Sequence, residues 1–196
     1  VRMRPILLTA GAAMLSSIAP LSAAQPGMSS IIVTDGVKEA AWGTALAVDP
    51  TLDMTEPNLG LQGLYVVEDA DYYYIGFDAT ASTWGMTYGV YLDTDLIDGS
   101  GATTDPWGGA VNAISAHLPE HTLYVYNEDW DALQNAQPNH WTGSSWTYDS
   151  LISQGGEQSY GPDNDWIEYS VPKAALGNPA QIALEVFTTS GSGHAQ

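Results

Sequence analysis

The chain has 196 residues, 4 Lys+Arg against 23 Asp+Glu, no cysteine and a formal net charge of −19. So acidic a chain repels phosphate backbones and anionic lipid, which argues against nucleic acid and membrane surfaces as partners. Without cysteine there is no disulfide and no thiolate nucleophile, so stability must come from the core and, by expectation, from a bound cation.

The first segment reads as an export signal. Arg2 and Arg4 form a positive stretch, Ile6 to Leu21 an apolar one, and Ser22-Ala23-Ala24 a small-residue cleavage site. Residues 1–24 are therefore expected to be removed, and the mature chain to be secreted, extracellular or periplasmic. Losing Arg2 and Arg4 leaves Lys38 and Lys173 against all 23 acids, a net charge of −21. No second long apolar run follows, so no membrane span is expected. Residues 25–30 read as a linker and 31–189 as one domain, long enough to bury a core. Residues 190–196 read as a flexible tail or as the start of a continuation.

Within that domain the signals are those of strands. Ile31 to Val33 reads as extended and runs into Asp35 to Trp42, a turn and a helical turn whose Trp42 is expected in the core. Ala45 to Val48 reads as a second strand. Leu64 to Glu68 and Tyr72 to Asp78 form a hairpin around Asp69-Ala70-Asp71. Alternation puts Tyr73, Ile75 and Phe77 on the core face and Tyr72 and Tyr74 on a wet one. Val111 to Leu118 is expected to pair with Thr122 to Tyr126, and His140 to Thr142 with Trp146 to Tyr148. Ser153 to Asp165 reads as an exposed loop. Trp166 to Val171 is a strand stopped by Pro172, followed by a helical turn closed by Gly177 and a last strand over Ile182 to Thr188. Short strands at regular spacing with almost no helix predict an all-β, antiparallel two-sheet sandwich.

The chemistry concentrates between Tyr88 and Gly109, YGVYLDTDLIDGSGATTDPWGG. Asp93, Asp95, Asp98 and Asp105 sit there with no cation among them, beside Gly99 and Gly101, which favour sharp turns. Hard oxygen ligands on a tight glycine turn are what a structural calcium site needs, so these four aspartates are the candidate metal ligands. The spacing is not that of an EF-hand, because Gly99 falls one place late. The competing expectation is a solvated loop whose aspartates cap turns through their own backbone. Four tryptophans near turn residues, Trp107, Trp130, Trp141 and Trp146, are the candidates for stacking on sugar rings. Trp42, Trp84 and Trp166 read as core.

Enzymatic signatures are missing. There is no G-x-S-x-G elbow and no Gly-rich phosphate loop. With 23 acids, some carboxylate pair will match any glycosidase spacing, so that test is uninformative. His117 and His121 with Glu120 have a metal-like spacing, but Pro119 breaks it. A haem site from Met54 or Met86 with His117 or His121 is the weaker alternative to packing methionine. No catalytic residues are assigned.

Asp35-Gly36-Val37-Lys38-Glu39-Ala40-Ala41-Trp42 resembles the opening of family-nine-type carbohydrate-binding modules, and the Leu64 to Asp78 hairpin their second signature. Tyr91 to Asp95, Gly99 to Gly108, Leu118-Pro119-Glu120, Tyr124 to Tyr126 and Trp166 to Gly177 then follow in order. That series is similar to the β-sandwich accessory domain of secreted amylopullulanases and of the C-terminal part of glucodextranases, modules of the DOMON-like kind. The resemblance runs from about Ile31 to Thr189. It implies calcium near the acidic loop, with Asp93, Asp95 and Asp105 in the matching motif, and an accessory role in breakdown of α-glucan polysaccharide (starch or pullulan type). The chain departs from the pattern in having no attached catalytic domain and in the Asp98 insertion. The expected function is thus a secreted, non-catalytic, calcium-stabilised carbohydrate-binding module serving an attached or partner glycoside hydrolase. The alternatives are a structural or surface-layer-associated spacer that binds no sugar, and the N-terminal part of a longer glycoside hydrolase.

Overall fold

Two antiparallel sheets face each other across one core. The computed structural model describes residues 6–9, 32–49, 60–79, 86–111, 116–127, 133–134, 139–163 and 165–190. The strands are β1 (Ile6–Thr9), β2 (Ala47–Val48), β3 (Leu61–Glu68), β4 (Tyr72–Ala79), β5 (Met86–Asp93) and β6 (His121–Asn127). They continue as β7 (Leu133–Gln134), β8 (Asn139–Trp141), β9 (Trp146–Tyr148), β10 (Glu157–Tyr160), β11 (Trp166–Pro172) and β12 (Ala183–Ser190). The seven-stranded sheet runs β1-β12-β5-β6-β8-β9, with β7 also on β6, and the five-stranded sheet β10-β11-β4-β3-β2. Helix among the described residues is confined to the 3-10 turns Ala40–Trp42, Ile152–Gln154 and Lys173–Leu176. No helix there is long and apolar enough to cross a membrane.

Alternation along the strands builds the core. Tyr73, Ile75 and Phe77 of β4 and Ile167, Tyr169 and Val171 of β11 meet Tyr88, Val90 and Leu92 of β5, Leu123 and Val125 of β6, and Leu184 and Val186 of β12. Each of these large side chains contributes roughly 1.5–3 kcal/mol by leaving water.

The other face of the five-stranded sheet is not wet, as alternation alone predicts. Tyr74 and Trp166 are buried there beneath Ile32 and Trp42, with the two tryptophan rings edge to face at 5.1 Å. The segment over 32–42 lies across this face, and its acids hold it. Glu39 accepts from its own Trp42 indole N–H at 2.9 Å and from the Val33 N–H. Buried Glu168 accepts from the Gly36 N–H and from the Trp166 indole at 3.1 Å. The Asp35 to Trp42 stretch is thus a clasp over a second, smaller core.

Two further expectations are corrected. Where a strand was expected over Val111 to Leu118, the described residues 111 and 116–118 are irregular, and β6 pairs instead with β5, β7 and β8. The exposed loop expected over Ser153 to Asp165 contains β10, which forms an edge by pairing with β11. β1 lies inside the expected export signal and pairs with β12 on the opposite edge of the other sheet. Trp84, Trp130 and Met54 lie outside the described residues.

Candidate functional site

β5 ends on Asp93, and the loop that follows folds around it. Asp93 is buried; its Oδ1 accepts the N–H groups of Asp95 (3.1 Å) and Leu96 (2.7 Å), and its Oδ2 stands 2.6 Å from His117 Nδ1. Asp95 in turn accepts from the Ile97 N–H and the Ser100 hydroxyl, each at 2.8 Å. Gly101 lets the loop close on the segment before β6. Its φ is +83°, and a Cβ there would stand 2.4 Å from the Leu118 carbonyl oxygen. Gly99 and Ala102 donate to the carbonyls of Ala116 and Pro119, each at 2.9 Å.

This closure brings in Glu120, which accepts from the Thr94 N–H at 2.9 Å and the Ser100 hydroxyl at 3.1 Å. One carboxylate oxygen from each of Asp93, Asp95 and Glu120 lies within 4.8 Å of the other two. Burial pushes the Glu120 carboxyl above its ordinary range, the charges of Asp93 and Asp95 push it further, and its bonds to Thr94 and Ser100 offset only part of this. Three hard oxygens at such separations suit an oxygen-loving cation such as calcium. Two of the four expected aspartates share this group. Asp98 is exposed and outside it, and buried Asp105 serves its own turn, accepting from the N–H groups of Trp107 (2.9 Å) and Gly109 (2.7 Å). Glu120 was missing from the sequence-based ligand set because it lies far along the chain, reached only through the Gly101 turn.

The outward face of the seven-stranded sheet is rich in aromatic rings. Register pairs Tyr91 with Glu185 and Thr122, and Gly89 with Phe187 and Tyr124, so these side chains share the face opposite the core. Gly89 leaves room for Phe187, since a Cβ there would meet its ring at 2.1 Å. Tyr91 lies 4.6 Å from Phe187 and 6.4 Å from Tyr124. Trp107, carried over the sheet by the loop that Thr104 and Ala110 bridge, packs edge-on against Tyr124 at 4.1 Å. Trp141 and Trp146 are directly paired across β8 and β9, with rings 5.6 Å apart, and alternation puts them on this same face. The Trp146 indole N–H donates to the Thr104 carbonyl at 2.7 Å, tying hairpin to loop. Trp107, Trp141 and Trp146 are all half-buried. The roles of Tyr91, Tyr124 and Phe187 were readable only by assigning faces to three strands at once.

Around the end of β6 a cavity of about 220 Å³ opens beside the acid group, lined among others by Thr94, Glu120, His121, His140 and Asp149. His121 and His140 are directly opposed on β6 and β8, with rings stacked at 4.8 Å and 16°. Burial, helped by the neighbouring His140, pulls His121 down to about 4, so its imidazole is neutral at ordinary pH. Comparison with protein-family models, with curated proteins and with solved structures finds no match.

Proposed function

We propose that this domain is a non-catalytic, exported module that binds α-glucan-type polysaccharide on the outward face of its seven-stranded sheet. The observation that supports this reading is the set of half-buried rings Phe187, Tyr91 and Trp107 packed around buried Tyr124 on one sheet face, with half-buried Trp146 and Trp141 beside them. Flat apolar rings that keep part of their surface exposed offer a pyranose a face to stack on. The choice of α-glucan rests on the resemblance of the ordered motifs. Calcium held by Asp93, Asp95 and Glu120 would stiffen the loop whose later turn carries Trp107. The module would serve an attached or partner glycoside hydrolase by raising its effective concentration at the substrate.

The test is a pull-down of the purified chain on insoluble starch, with xylan and cellulose as controls, with calcium and with chelator. Retention on starch that weakens with chelator is the expected result. A spacer domain without sugar binding is favoured by the packing roles of Trp107 and Trp146, which already hold the loop to the sheet. No retention on any of the three polysaccharides would select that reading.

A further inference from the structure

The stacked histidines have no role in the reading above. His121 is 6% exposed, yet among the described residues no hydrogen bond or ion pair holds its ring. Its ring nitrogens are not sealed off but reach the cavity, where a donor or an acceptor is open to a ligand. The ring stacks on a second imidazole, His140, with centroids 4.8 Å apart and planes nearly parallel. Ring stacking satisfies neither nitrogen. Both rings line the same cavity, whose wall also carries the Asp149 carboxylate and the Gln154 amide.

We propose that His121 and His140 form a binding site for a borderline divalent transition metal, the class of zinc, nickel and copper, beside the all-oxygen acid group, whose Glu120 lines the same cavity. Directly opposed residues on neighbouring strands present their side chains to the same space, so two imidazoles there are a ready-made pair of nitrogen ligands. Neutral imidazole suits these ions, whereas calcium and magnesium prefer oxygen. A tetrahedral zinc with Zn–N of about 2.0–2.1 Å needs its two nitrogens about 3.3 Å apart. The 4.8 Å is between ring centres, and His140 is exposed, so its ring has room to turn a nitrogen toward one of His121. Among the described residues no third imidazole or carboxylate stands within ligand distance of both rings, so water, or Asp149 moving in from the cavity wall, would complete the shell. The sequence offered His117-x-x-x-His121 as the metal-like spacing, but His117 is turned to Asp93 and His140 takes its place.

The test titrates the full chain with zinc chloride by calorimetry in calcium-containing buffer, while following the imidazole resonances of the four histidines. One saturable equivalent is expected, shifting His121 and His140 and leaving His117 and His194 in place. His140→Ala, a change at an exposed ring, is expected to weaken zinc at least about tenfold while leaving the calcium response intact. Asp95→Asn is expected to spare zinc. No saturable binding overturns the proposal. So does zinc binding that survives His140→Ala, and so does binding lost with Asp95→Asn, since that ion would sit on the acid group.

Discussion

Lys38 Nζ lies 2.7 Å from both carboxylate oxygens of Asp78, and the same ammonium sits 2.8 Å from the Tyr65 hydroxyl. It also stands 4.0 Å above the Tyr65 ring centroid and 5.0 Å from that of Trp166. The other lysine, Lys173, bonds Glu68 at 2.7 Å and the Asp69 carbonyl, with its charge over Tyr73. Both lysines are thus committed to clamping the five-stranded sheet. A partly exposed ion pair is worth up to about 1 kcal/mol, and the cation over the rings about 0.5–1 kcal/mol more. Lys38→Met should therefore cost about 1–2 kcal/mol in urea unfolding. The gap from wild type should narrow at high salt, because only the ion-pair part is screened.

Stability should peak in mild acid. Burial pushes the Glu168 carboxyl up, and its bonds to Gly36, Trp166 and Asp35 offset only part of that; Glu120 is raised likewise. A carboxyl raised by folding favours the folded state most when protonated. That contribution is complete below the ordinary value of 4.5 and is lost as pH climbs through the raised one. Asp69 works the other way. Burial pushes it up, but the Asp71 and Tyr72 N–H groups, the Tyr74 hydroxyl and Lys173 outweigh this and hold it down. Its contribution is present above the ordinary 3.8 and lost as pH falls through the lowered value. In calcium-free buffer the raised carboxyls should add stability as pH drops, opposed below about 6.5 by His121, whose imidazole folding holds neutral down to about 4. The Tm should therefore peak near about pH 6 and fall steeply below about 4. A Tm that falls steadily on acidification across the whole range would contradict this.

Calcium should reverse the first half of that profile at Glu120, because a bound cation favours its ionised form. Added calcium is expected to raise the Tm most near pH 7–8. Asp95→Asn, at an exposed member of the acid group, should abolish most of that rise, and Asp98→Asn should leave it unchanged. Equal effects of the two substitutions would return the response to general charge screening.

The sandwich was legible because period-2 alternation is a local signal. Tyr73, Ile75 and Phe77 face the core as their spacing demands, and the turn closed by Gly177 follows directly on Pro172. What failed was non-local. Tyr74 alternates onto an outer face, and nothing in β4 itself says that Ile32 and Trp42 will cover it. β10 (Glu157–Tyr160) has little apolar content and owes its form to pairing with β11. In the candidate site, Asp93 and Asp95 are neighbours in sequence and were found together. Glu120 joins them only through a loop closure that needs Gly101 at φ +83°. His140 meets His121 through strand pairing between segments that carry no mutual signal.

The tryptophans separate packing from recognition. Trp146→Phe keeps an aromatic ring beside Trp141 but removes the indole N–H that bonds the Thr104 carbonyl at 2.7 Å. Losing that bond should cost about 1 kcal/mol and loosen the loop that carries Trp107. Trp107→Ala removes the ring packed edge-on at 4.1 Å on Tyr124, between the sheet's own rings and the Trp141–Trp146 hairpin. If polysaccharide stacks along the face, Trp107→Ala should abolish retention on starch while the chain stays folded by circular dichroism. Trp146→Phe should then reduce retention only in part, through disorder of the loop, and calcium should recover some of it by stiffening the Asp93–Asp95–Glu120 end. If the rings serve packing alone, both variants should lower the Tm in proportion to buried area and neither should change any polysaccharide binding. The two outcomes differ in which variable follows Trp107, and a single set of pull-downs paired with melting curves reads both.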